Sequence, residues 1–192
     1  KLPKHLDLPV PTAQDLHASL IPGIRPHKQV SPVKPVMPTT ESTTDKQQLL
    51  LQELARTFTD LVQDGQVTME TRAEGVLLDV KDSALFASGT AQPASQANTI
   101  IDKIADILTK NDNNVIVEGH TDSVPIHTAQ YPSNWELSSA RAANIVRALQ
   151  ERGISPDRLS ASGYADTRPK STNETTQGRS ENRRVSLLVL ND

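Results

Sequence analysis

From Thr44 onward the apolar residues follow two periods. Leu50, Leu54, Phe58 and Leu61 recur every three or four positions, joined by Leu51, Ala55 and Val62, the spacing of one helical face. Thr44 followed three residues later by Gln47 has the form of a capping box, and Gly65 is a stop. The predicted N-terminal helix therefore covers 44–64. Val67–Thr71 and Val76–Val80 have strand character and are broken at Glu74-Gly75, which predicts a hairpin. Leu85–Gln92 reads as loop. Ala97, Ile100, Ile101, Ile104, Ile107 and Leu108 lie at close to ideal spacing for a second helix, ended by Asn111–Asn114. Val115–Glu118 is a buried type of strand, and Gly119–Pro132 a polar loop. A third helix is predicted over 134–152, closing at Gly153. Leu159–Tyr164 is a strand, Ala165–Glu181 a long polar loop, and Val185, Leu187 and Val189 alternate in a last strand. Strands interleaved with helices predict an α+β fold, a mixed sheet with helices packed on one face.

Residues 1–43 carry none of this periodicity. Eight of the thirteen prolines lie between Pro3 and Pro38, and Thr39–Thr44 is almost all small and polar. Proline removes a backbone donor and biases the preceding residue toward extended conformations. The expectation is a largely extended, Pro-rich linker, reaching on the order of 140 Å when stretched. Ala13–Ile21 (AQDLHASLI) is the one patch there with some helical character. The predicted folded domain is 44–192.

Composition narrows the function. A net charge of −3 argues against general nucleic-acid binding through phosphate neutralisation. The absence of cysteine excludes disulfides, thiolate metal sites and a cysteine nucleophile. No apolar run approaches the ~20 residues needed to span a bilayer. The chain begins at Lys1 without a signal-peptide pattern, so the expectation is that any membrane anchor lies upstream.

The block 117–142, VEGHTDSVPIHTAQYPSNWELSSARA, concentrates the candidate chemistry. A strand brings Glu118, Gly119, His120, Thr121 and Asp122 to its C-terminal end, where sites on such sheets usually lie. Ser133 and Glu136 form a second capping box for the helix that follows. That helix turns Ala142, Ile145, Val146 and Leu149 to the core, and Arg141 lies off the stripe. Asn134 precedes Arg141 by two helical turns, so both share a face that can look toward the Asp122 loop. An acid near an arginine is first a salt bridge. The functional alternative is recognition of a zwitterion, with Asp122 accepting from an ammonium and Arg141 gripping a carboxylate through its two-pronged guanidinium.

Other chemistries find less support. His120 and Asp122 have only His127 nearby, and no His-x3-His pattern is present, so neither a metal nor another cofactor is expected. Glu118 and Asp122 do not form a glycosidase-like pair, and no nucleophile elbow is visible. Trp135 could pack in the core or serve as a sugar-stacking platform, with packing favoured.

GHTD, SNWELSSARAANIV, LSASGYAD and ENRRVSLLVL occur in the order and spacing of the OmpA-like peptidoglycan-binding domain, which this chain resembles over about 76–190. The SNWELSSARA version, the long loop after Asp122 and the proline-rich approach resemble the MotB-type stator subgroup. The resemblance implies non-catalytic binding of the diaminopimelate-containing stem peptide of peptidoglycan. Asp122 and Arg141 would hold the diaminopimelate ammonium and carboxylate. Thr121, Asn134 and Leu137 match positions around that pocket, and Arg183 matches the first arginine of the NRR element. Phe86–Gly89 is taken as a structural loop. The implied setting is the periplasmic portion of a bacterial inner-membrane protein. It would act as a homodimer, with a channel-forming stator A subunit engaged through upstream sequence, and it would meet the membrane only there. The second reading is a wall tether of the porin, lipoprotein or secretion-system kind.

Overall fold

A computed structural model describes residues 40–191, with side chains placed from Asp45 onward. The linker expected over 1–43, apart from residues 40–43, and the patch at Ala13–Ile21 lie outside the described residues. The elements are α1 (Thr40–Thr57), α2 (Thr59–Gln63), β1 (Val67–Arg72), β2 (Gly75–Lys81), α3 (Asp82–Leu85), α4 (Ala97–Leu108), β3 (Val115–His120), α5 (Asn134–Gln150), β4 (Leu159–Gly163), α6 (Thr176–Asn182) and β5 (Arg184–Leu190).

The expected α+β class is the observed one. The sheet runs β1-β2-β5-β3-β4. Only β3 and β4 are parallel; the other neighbours are antiparallel. Alternate residues of the central strands (Val76, Leu78 and Val80; Val185, Leu187 and Val189; Val115 and Val117) face one core. Leu50 and Leu54 of α1, Phe58 between α1 and α2, Ile101 and Ile104 of α4, and Ile145 and Leu149 of α5 fill it from the helix side. Removing this apolar surface from water is the main drive for the packing.

The structure corrects the sequence reading in four places. α1 begins at Thr40, so Thr44 lies inside the helix rather than at its cap. Gln47 turns sideways instead, its Nε2 donating to the carbonyls of Arg72 and Gly75 at 2.7 and 2.8 Å and tying the helix to the hairpin turn. A four-residue helix follows β2, where no element was predicted. The polar stretch 165–181 contains most of α6, capped by Thr175, whose hydroxyl accepts from the Gly178 amide. That helix (TQGRSEN) has no apolar stripe, so periodicity could not show it. Lastly, Trp135 is half exposed and is not a core residue.

Two glycines set the position of α5. A Cβ at Gly119 would overlap the Ser138 backbone, and one at Gly163 would overlap Ser139. The glycines of GHTD and of LSASGY thus let the Ser-Ser pair of α5 lie directly on β3 and β4, a close approach that only glycine permits.

Candidate functional site

Strand register explains how distant residues meet. β5 lies between β2 and β3 and runs antiparallel to both, with Arg184 opposite Lys81 on one side and His120 on the other. The start of β5 therefore sits between the ends of β2 and β3. One step beyond each strand come Asp82, Arg183 and Thr121-Asp122. The backbone registers this meeting directly, because Asp82 N donates to Arg183 O at 3.0 Å.

These residues line a cleft of about 560 Å³, together with Phe86, Ser88, Gly89, Asn134, Leu137 and Arg141. All six candidates from the sequence (Thr121, Asp122, Asn134, Leu137, Arg141 and Arg183) line it. Their pairing is not the anticipated one. Asp122 Oδ2 accepts from Arg183 Nη1 at 2.6 Å, while Arg141 Nη1 donates to Asp82 Oδ2 at 3.2 Å. Arg183 Nε also lies 3.6 Å from Asp82 Oδ1. The site is thus a crosswise set of two carboxylates and two guanidiniums, with Asp82 as the member that the sequence reading missed. Asp82 follows a strand in KDSALF, where an aspartate looks like an ordinary turn residue.

Arg141 is the most confined of the four. It is buried, its Nε donates to Thr90 O at 2.9 Å, and its guanidinium lies 5.0 Å from the Phe86 ring centre. The loop 86–90 therefore holds an arginine as well as being structural. Burial lowers the Arg141 pKa from its ordinary value, opposed by Asp82. Burial likewise raises Asp82 above the usual carboxylate value, although Arg141 and Arg183 pull it down. Desolvation disfavours a charge, and a paired partner offsets that penalty.

Asn134 holds the loop beyond Asp122, its Nδ2 donating to Asp122 O at 3.2 Å and Val124 O at 3.1 Å. Asp122 Oδ1 accepts from Val124 N, which fixes the carboxylate. The helix start behind Asn134 is capped, since Ser133 Oγ accepts from Trp135 N and donates to Glu136. Thr121 Oγ1 is turned to Asp122 O, while Leu137 packs with Ala91 and Tyr131 beside the cleft.

His120 faces the other side of the sheet. It is buried, stacks on Tyr164 at 5.5 Å, and has Glu118 Oε2 3.5 Å from Nε2. Around it Asp79, Glu118, Arg168, Lys170 and Arg184 line a smaller cavity of about 240 Å³. Among the described residues no three His, Asp or Glu side chains are grouped to hold a metal.

This geometry falls within a region matched by a known family. The OmpA family profile matches residues 85–183, just over half of the chain. The chain belongs to the OmpA family. It is 38% identical over 127 residues to Motility protein B of Bacillus subtilis, covering 65% of this chain and 49% of that one. The chain thus spans about half the length of that relative. The solved cell wall anchor of the T6SS from Pseudomonas aeruginosa is 36% identical, with a TM-score of 0.69, over 72% of this chain and 97% of that one. The periplasmic domain of Helicobacter pylori MotB is 27% identical, with a TM-score of 0.61, over 66% of this chain and 82% of that one. The domain is thus similar both to MotB-type domains and to a secretion-system wall anchor. No described helix is long and apolar enough to cross a membrane.

Proposed function

We propose that the domain binds peptidoglycan without cleaving it, through the zwitterionic end of a diaminopimelate side chain, and anchors a flagellar stator to the cell wall. The observation that carries the proposal is the crosswise charge set in the cleft. Two acids and two arginines from four separate chain segments converge there.

Hydrogen-bond capacity supports a ligand with both charges. A carboxylate offers about four lone-pair positions, and the contacts described for Asp122 are with Val124 N and Arg183. An ammonium can be accepted at the remaining capacity. A guanidinium has five N–H donors, and Arg141 directs two at Thr90 O and Asp82. Its remaining donors and those of Arg183 suit a carboxylate. A ligand with one charge alone would leave half of the set without a new partner.

The decisive experiment is pull-down of purified cell-wall sacculi by Asp122→Ala and Arg141→Ala proteins, with circular dichroism to verify folding. Both should lose binding, and free diaminopimelate should compete with the wild type where lysine does not. Unchanged pull-down by both folded variants would remove this site assignment.

Stator membership is supported by the similarity to Motility protein B. In that setting the domain is periplasmic and paired in a homodimer. Its upstream segment carries the membrane helix and meets the channel-forming A subunit. Two linked weak sites would then gain from high effective concentration. The similarity to the secretion-system wall anchor favours a second reading, a static tether of another envelope machine. Swimming restored to a strain without its own stator B by the full-length protein would decide for the motor.

A further inference from the structure

We infer that Ser138 and Ala165 form a brace that positions Asp122 for ligand, an inference that rests on the binding reading above. Ser138 is fully buried in α5, and its Oγ donates to Trp135 O at 3.1 Å. The same Oγ accepts from Ala165 N at 3.0 Å. Ala165 O in turn accepts from Thr121 N at 2.9 Å, one residue before Asp122. A continuous relay thus runs from the first turn of α5, through the loop after β4, to the backbone that carries the carboxylate.

Ala165 is itself unusual. It is buried and has φ 49°, the only non-glycine residue with positive φ among those described. A left-handed backbone is unfavourable for an L-residue with a Cβ, and the surrounding structure has to hold it there. Here both of its peptide groups are committed, its N–H to Ser138 and its C=O to Thr121. Because α5 also supplies Asn134 and Arg141, the brace ties the acid side of the cleft to the arginine side. Ser138 and Ala165 do not line the cleft, so both are positioning residues.

The test measures affinity for a diaminopimelate-containing stem peptide beside the amide exchange rate of Thr121, read by NMR. Ser138→Ala should weaken binding about tenfold, the scale of one lost buried hydrogen bond, and should speed Thr121 exchange. A purely structural role would lower the melting temperature and speed exchange of protected amides alike, without singling out Thr121 and without changing affinity. Ala165 gives a second comparison should Ser138→Ala fail to fold. Ala165→Gly accepts the left-handed backbone and should bind like wild type, whereas Ala165→Val should weaken binding. Equal affinity for wild type and a folded Ser138→Ala, or for the two Ala165 variants, overturns the brace. An Asp122→Ala control separates the cases: loss of binding there with normal binding in Ser138→Ala sinks only the brace, while normal binding in Asp122→Ala sinks the underlying site.

Discussion

The domain carries two clusters of acids and arginines, one on each side of the same strand ends. On the open side of the sheet, Asp79, Glu118, His120, Arg184 and Ser186 are cross-strand neighbours by register, Asp79 and Glu118 both lying opposite Ser186. Lys170 closes on Asp79 at 2.7 Å, and Arg168 stacks on Tyr164 at 3.6 Å. On the other side, Asp82, Asp122, Arg141 and Arg183 come from segments beyond the strands and surround the larger cleft. The same side-chain chemistry serves two ends. Pairs set by strand register lie within the sheet and line the smaller cavity, whereas pairs converging from loops and a helix line the larger cleft. An ion pair read from sequence does not distinguish these cases; its place relative to the strand ends does.

The largest expected difference between the clusters comes from Arg141. Arg141→Ala leaves Asp82 buried without its main partner and should cost about 3–5 kcal/mol of stability. Arg168→Ala, removing an exposed partner of Glu118, should cost no more than about 1 kcal/mol. Chemical denaturation measures both. The double change Asp82→Leu with Arg141→Met sharpens the point, since an apolar pair of similar volume should recover most of the stability while wall binding stays lost. Recovered binding in that double variant would mean that these charges serve packing alone.

How much of this could be read beforehand follows from where each residue gets its neighbours. Ala97–Leu108 was legible because its own periodicity dictates which face is buried. Arg141 and Asp122 stood out within one continuous block, and the cleft does contain both. Their partners were not legible, because the pairings Arg141–Asp82 and Asp122–Arg183 depend on β5 inserting between β2 and β3. Residues separated by 59 and 61 positions become neighbours through strand order, which no local pattern encodes. Trp135 failed for a related reason: an aromatic residue in the first turn of an amphipathic helix suggests core, yet the side facing the sheet there belongs to Ser138 and Ala142.

The adjacent arginines of the NRR element offer a finer comparison. Arg183 turns to Asp122 in the cleft and is about one-third exposed, while Arg184 lies on the open side, mostly buried, near Asp79. Arg183→Ala should therefore reduce peptidoglycan affinity about tenfold or more, the scale of a charge-assisted hydrogen bond, with stability held within about 1 kcal/mol. Arg184→Ala should do the reverse, lowering stability by about 1–3 kcal/mol through loss of a buried partner while leaving affinity within about twofold. Pull-down and denaturation on the two proteins give the four readings. If both variants lose binding equally at equal stability, the two clusters are not separate in function.

The smallest effect concerns acid, and its sign differs between the clusters. Burial holds the His120 pKa below its ordinary value, while Asp82 is held above its own. For His120 the unfolded chain binds the proton more readily than the native domain. Its neutral form thus supports the fold above the unfolded value of about 6.5, and that support is lost as pH falls from there toward the lowered native value. Asp82 acts oppositely, because the native domain takes up that proton more readily and gains stability on acidification. The groups around His120 (Glu118, Asp79, Arg184 and the Tyr164 ring) belong to the open side. His120→Phe keeps a ring to stack on Tyr164 and removes the titration. Melting temperatures at pH 7.5 and 5.5 should fall less on acidification in His120→Phe than in wild type. An identical decline in both would assign the acid sensitivity to other groups and leave His120 as a packing residue whose charge state does not matter.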